Sequence, residues 1–230
     1  MTATFMTSAE PDEIWPLVRD FHYRRRMPAI VHHAFAWRSP GGLWGDFGDP
    51  LAAVIYSQPV SRNFPPNSME LSRLVRRDDF AEQLSQLVSW SLRWLRGHTA
   101  APFVLSYADT THGHHGGVYQ ACGFVYVGQS SGGHIGYEES NGSFVHGRIC
   151  NKRFNTRSVA AMAQIKPNWA PIYGGPKHLY IFPLRQRLKS LLSQQGWRSL
   201  PYPKPNRATC LSDAPPPSGV SHEHTVEVAP

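Results

Sequence analysis

Residues 103–129, FVLSYADTTHGHHGGVYQACGFVYVGQ, carry the side chains whose types and spacing could do chemistry. Asp109 falls at the end of an apolar, β-forming run, and Tyr119 lies on the short helix expected after the turn. Gly113, Gly116 and Gly117 between them permit tight turning and close approach of a ligand to the backbone. A carboxylate and a phenol so placed can both reach a crevice at the carboxyl edge of a strand, where open α/β sheets bind ligands. The alternative is structural: Asp109 caps the turn, and Tyr119 packs in the core with its hydroxyl satisfied. His112, His114 and His115 share the turn. They could bind a metal or face a phosphate, though no fixed ligand spacing is evident. Arg73 sits inside a strand, where an inward guanidinium needs an acid or a phosphate and an outward one is a solvated face. Arg76 and Arg77 precede a long helix, whose N-terminus favours anions such as a cofactor pyrophosphate or a DNA phosphate.

These residues need a scaffold, and the chain supplies one. Residues 1–11 read as a frayed start, and 12–20 as a short helical or irregular stretch interrupted by Pro16. HAFAW and LAAVIYSQP, separated by a Pro/Gly cluster, predict a hairpin. MELSRLV (69–75) predicts a further strand. Phe80, Leu84, Leu87, Val88, Leu92 and Leu95 recur at helical spacing, with Asp78 and Asp79 at the N-cap and Gly97 as the stop. FVLSY and FVYVG are strands flanking the Tyr119 helix. SFVHGRICN pairs with the segment around Tyr137 through an Asn141-Gly142 turn. Thr156 caps a helix reaching Ile165, HLYIF (178–182) is a last strand, and residues 184–192 form a basic helix. From 199 to 230 the sequence is proline-rich and poor in large apolar residues, as in a disordered tail. Residues 12–198 therefore form one α/β domain with a mixed central sheet flanked by helices.

Charge points to a partner. The chain has 23 Lys and Arg against 16 Asp and Glu. Three of those acids, Asp213, Glu223 and Glu227, fall in the last twenty residues, which hold no base, so residues 1–210 carry 23 against 13, a net +10. A unit so basic suits a polyanion, nucleic acid above all, although cofactor phosphates could use part of the charge. No apolar run approaches the ~20 residues of a membrane span, and the start lacks a basic-then-apolar leader, so the expected place is the cytoplasm. Cys122, Cys150 and Cys210 are odd in number and widely spaced. That argues against a disulfide framework and a structural zinc site.

FHYRRRMP near the start, ELSRL, YADTTHGHHGGVYQACGFVYVG and KHLYIFPL together resemble the Mom family of Mu-like phage DNA modification proteins, over roughly residues 14–192. The resemblance implies a fold like that of the GNAT acetyltransferases. It also implies conversion of adenine in double-stranded DNA to N6-carbamoylmethyl-adenine, which shields phage DNA from host restriction. Matched residue by residue, the family's His-Tyr pair falls on His22 and Tyr23, its strand arginine on Arg73, its aspartate on Asp109, its helix tyrosine on Tyr119 and a helix serine on Ser85. The family depends on iron; His22, Tyr23, Asp109 and Tyr119 would supply a hard nitrogen and oxygen set suited to it. Trp44, in the glycine-rich hairpin tip, is the candidate wedge or stacking partner for a flipped base. The phosphate-cradling signature of ordinary GNAT enzymes is replaced by Arg76-Arg77-Asp78-Asp79-Phe80-Ala81, which leaves acetyl-CoA in question as the donor. Two rival readings are an acetyl-CoA-dependent N-acetyltransferase acting on a protein or small amine, and a DNA-binding protein of the same fold without catalysis.

Overall fold

A computed structural model describes residues 5–41, 47–59, 64–156 and 158–204. Trp44 lies outside these, as does the expected tail beyond Lys204. Seven strands form the main sheet: β1 (Phe5–Ser8), β2 (Val31–Arg38), β3 (Pro50–Ser57), β4 (Met69–Arg76), β5 (Phe103–Asp109), β6 (Val125–Ser130) and β10 (Lys177–Pro183). Their spatial order is β1-β2-β3-β4-β5-β10-β6, antiparallel except where β4 meets β5. Strands β7 (Gly133–Glu138), β8 (Phe144–His146) and β9 (Ala170–Gly174) form a separate small sheet between β6 and β10 in sequence. Residues 5–8, expected to fray, are held as an edge strand by pairing with Phe35–Arg38.

Period-two alternation on β2 sends Ala34 and Ala36 to one face and Phe35 and Trp37 to the other. The alanine side receives helix α1 (Pro11–Phe21), whose buried Ile14, Leu17 and Val18 pack on Ala34, Ala36, Ala53, Ile55 and Val75. Pro16 removes one helical hydrogen bond, at a cost of about 3 kcal/mol. Three buried aliphatics at roughly 1.5–3 kcal/mol each offset it, and a capping box between Glu10 and Glu13 fixes the start. The opposite face receives α2 (Leu84–His98) through Leu87, Val88, Leu92 and Leu95.

Two expected boundaries of α2 move. Its N-cap is Gln83, because Asp79 pairs with Arg77 instead of capping, and the helix runs through Gly97 to His98. The short α3 (Gly117–Ala121) lies beside α2. In the small lobe, α4 (Gly147–Phe154) occupies residues expected to extend a strand, and α5 (Val159–Ile165) is capped by Ser158, not Thr156. The last helix, α6 (Leu188–Gln195), begins four residues later than its pattern suggested and packs Leu191 on Phe103, Leu105 and Ile181. Beyond Trp197, Leu200 N–H donates to the Tyr126 carbonyl and the Tyr202 hydroxyl to that of Phe124, so residues 200–202 lie along β6. Among the described residues no helix is long and apolar enough to cross a membrane.

Candidate active site

The parallel pairing of β4 and β5 is brief. Met69, Glu70 and Leu71 match Val104, Leu105 and Ser106, and there it stops. At the same point β4 bulges against β3: Tyr56 faces Leu71 and Ile55 faces Arg73, leaving Ser72 without an opposite residue. A bulge adds twist and turns a strand away from its neighbour. Beyond it β4 follows β3, β5 follows β10, and a wedge opens between them. The Ser106 hydroxyl closes its apex by donating to the Leu71 carbonyl at 3.0 Å.

Asp109 stands at the wide end of the wedge, buried at 7% exposure. By alternation it shares the face of Phe103 and Leu105, the side on which α1 ends. Lys177, directly opposite in the β5–β10 register, places its Nζ 3.0 Å from Oδ2, and Arg24 reaches the same oxygen at 3.6 Å. The other oxygen, Oδ1, accepts from the Thr111 hydroxyl at 2.6 Å and the Thr111 N–H at 3.2 Å. Burial would raise the Asp109 pKa, but the Thr111 and Lys177 hydrogen bonds and the lysine charge overcome it and hold the group at about 2. It is a fixed anion. Asp109 thus caps its turn, as the structural alternative held, and also faces the wedge.

His22 ends α1 as its C-cap and is buried at 6% exposure. Its Nδ1 lies 3.0 Å from the Arg24 N–H and accepts from it. The ring proton therefore sits on Nε2, and the imidazole offers a donor. Burial first, then the charges of Arg73 and Arg24, lower its pKa to about 4 and keep it neutral. Tyr23 stacks on His22 with centroids 4.5 Å apart and meets His112 at 4.3 Å, covering the mouth with rings.

Tyr119 comes from the other face. It packs among Phe124 and Tyr180 and interacts with the Ser106 side chain. Burial pushes its phenol up to about 12, with the Ser106 hydrogen bond opposing and Tyr23 adding to the rise. The sequence lets Asp109 and Tyr119 reach one crevice at the carboxyl edge of a strand. The structure brings them to the same wedge from opposite faces of the sheet.

The remaining expected residues divide. Arg73 points to the α1 face, donating to the carbonyls of Arg26 at 2.8 Å and Ser72 at 2.6 Å, and its charge acts on His22. Arg76 bonds the Phe80 carbonyl, and Arg77 is paired with Asp79. Because α2 begins only at Leu84, neither arginine stands at its N-terminus. Ser85 is in the first turn of α2, its carbonyl taking the Cys122 thiol at 3.4 Å. Lys177, Arg24, Thr111 and Ser106 were not singled out as site residues. Lys177 heads the KHLYIF strand and Arg24 adjoins the His-Tyr pair, which is the signal that could have found them.

The iron implied by the resemblance does not fit these donors as they are arranged. A cation approaching Asp109 would meet the charges of Lys177 and Arg24, which already stand on its Oδ2. Coordination through His22 Nε2 would displace its proton while Nδ1 already accepts one. Among the described residues no three His, Cys, Asp or Glu side chains converge as a metal site. A surface cavity of about 700 Å³ lies elsewhere, lined by Trp15, Arg26, Met27 and Val31 on the α1 flank.

Comparison with known proteins gives one family match: the Mom protein family, over residues 6–204. No curated protein matches. Similar solved structures are acetyltransferases. One is an acetyltransferase from Acinetobacter baylyi, 12% identical, with a TM-score of 0.46, covering 82% of this chain and 96% of its own. Another is the ribosomal-protein-S18-alanine N-acetyltransferase of Escherichia coli, 9% identical, with a TM-score of 0.45 and coverages of 80% and 96%. A third is a GNAT family N-acetyltransferase from Escherichia coli in complex with CoA, 14% identical, with a TM-score of 0.40 and coverages of 54% and 69%.

Proposed function

From the premise that this chain belongs to the Mom protein family, we propose that it modifies adenine in double-stranded DNA, converting it to N6-carbamoylmethyl-adenine and so shielding phage DNA from host restriction. The observation that supports this reading is the wedge between β4 and β5, with a fixed carboxylate at its wide end, a phenol bonded to its apex residue Ser106, and a neutral imidazole whose neighbour Arg24 reaches the carboxylate.

An enzyme acting on the N6 amino group of a paired adenine must first extrude the base. The exposed Tyr23 ring, now against His112, offers a face on which a purine can stack once the histidine turn yields. Asp109 accepts a hydrogen bond from the amino group and balances the positive charge that grows on N6 as its lone pair attacks. With a pKa of about 2 it lies roughly five units below neutrality. As a proton-removing base it would be mismatched by about 7 kcal/mol, so its work is orientation and charge. As the N6–CH2 bond forms, the bond from that carbon to the donor's leaving group breaks and N6 passes one proton to water; the phenol of Tyr119, protonated to about pH 12, and the Nε2–H of His22 donate toward the negative charge that develops on the leaving group. No step runs through iron, and the donor of the added group is left unassigned.

The test is mass spectrometry of nucleosides from plasmid DNA co-expressed with the chain. Deoxyadenosine carrying a carbamoylmethyl group is the expected product. Unmodified deoxyadenosine from a well-folded, abundant protein refutes the reading.

A further inference from the structure

Residues 131–176 leave the main sheet after β6 and return to it at β10, which pairs with β6 directly, so the excursion adds nothing to the sheet. It folds on its own core of Tyr137, Val145, Cys150 and Met162, with Phe154 and Trp169 packed against it. The C-terminal stem of this lobe is anchored at the candidate active site, and Ser130, just before the lobe, pairs with Lys177. Lys177, the first residue after the lobe, pairs with Asp109, and the Thr110 hydroxyl donates to the Pro176 carbonyl at 2.6 Å. A Cβ on Gly175 would run into the Thr111 side chain, and one on Gly132 into the Gly174 carbonyl. The lobe is rooted at the mouth of the wedge, on the same residues that hold Asp109 in place.

Its outer surface is basic in one place. On α4, Gly147, Cys150 and Phe154 turn inward. Arg148, Lys152 and Arg153 occupy the opposite arc of the helix and are exposed. Among the described residues no ion pair involves any of the three. Near the stem, Tyr173 on β9 is 62% exposed, with Ile135 of β7 also exposed. Unneutralised cations on one helix face and an exposed aromatic close to the stem match a duplex, which offers phosphates outside and π-faces within.

We propose that this lobe is the second half of the DNA seat: Arg148, Lys152 and Arg153 grip the phosphate backbone, and Tyr173 presses against the base stack beside the wedge. The inference rests on the DNA-modification reading and adds to it the surface that docks the duplex.

The test uses the full chain and fluorescence anisotropy of a labelled duplex across roughly 50–200 mM salt. Each lost phosphate contact removes close to 0.9 from the log–log salt slope, so Arg148→Gln/Lys152→Gln/Arg153→Gln lowers the slope by about 2–3, with an unchanged melting temperature confirming the fold. Tyr173→Ala keeps the slope but diminishes the fluorescence rise of 2-aminopurine placed at the modified position, and Tyr173→Phe restores it. If wild type and triple variant bind the duplex with the same slope, the lobe is not the seat, while the DNA reading stands. A Tyr173→Ala signal equal to wild type removes that residue from the proposal. A wild-type chain that ignores the duplex, or prefers single strands or RNA, defeats both.

Discussion

His22→Asn offers a quantitative check on how the site is wired. Asn keeps an oxygen able to accept the Arg24 N–H but cannot titrate. In the wild type the folded imidazole ionises near 4, against 6.5 when unfolded, because burial and then Arg73 and Arg24 oppose its charge. As pH falls, the unfolded chain takes up this proton first. Stability from His22 is therefore complete above 6.5 and is lost progressively as pH drops toward about 4. With a factor of ten costing about 1.4 kcal/mol, the loss between pH 7 and 5 is about 2 kcal/mol, approaching about 3.4 kcal/mol at lower pH. Other histidines with lowered pKa, His114 and His178 among them, contribute to both proteins and cancel in the difference. Urea unfolding at pH 7, 6 and 5 should show the wild type losing about 2 kcal/mol more than His22→Asn. Titration of the His22 ring by NMR should place its midpoint near 4, with the proton on Nε2 in the neutral form. Parallel stability curves, or a midpoint near 6.5, would refute the buried, donor-presenting imidazole and reopen it as a metal ligand.

Further outcomes follow from the same geometry. Asp109→Asn should abolish adenine modification and cost about 1–3 kcal/mol in chemical denaturation, because it leaves Lys177 and Arg24 without their counter-charge. Tyr119→Phe should abolish modification with a smaller loss of stability, and retained product in nucleoside digests would remove the phenol from the chemistry. Lys177→Met should raise the Asp109 pKa from about 2 toward the ordinary carboxylate range, visible in carboxyl carbon shifts; no movement would show that Thr111 alone holds it. Gly116→Ala should lower the melting temperature by several degrees, since φ is +84° there and the new methyl would meet the Tyr180 ring.

Much of the scaffold could be read from pattern. The apolar runs HAFAW and LAAVIYSQP on either side of a Pro/Gly cluster placed β2 and β3, and helical spacing from Leu84 to Leu95 placed α2. The helix start was misplaced because Asp78 and Asp79 look like caps from sequence alone, whereas Asp79 spends its carboxylate on Arg77. Nothing in MELSRLV announces the bulge at Ser72, which depends on how β3 pairs with it, and so the wedge itself was invisible. Asp109 and Tyr119 both border the wedge, and their approach from opposite faces follows from strand parity and the course of α3 after the turn. Lys177 lies 68 positions from Asp109, and only the β5–β10 register makes them neighbours. A short basic helix opening with Gly147 read as strand continuation because the apolar pattern of residues 143–151 fits either period.

In the proposed reaction, adenine is held at the wedge between β4 and β5 by groups from both faces of the sheet. A crystal structure of Asp109→Asn with a duplex spanning a mapped modification position tests it most directly. The expected result is an adenine out of the stack, its N6 within hydrogen-bond reach of residue 109, with Tyr119 across the reacting atoms and His22 on the α1 side. An adenine still paired in the duplex, or lodged at the α1 flank away from Asp109, would contradict it.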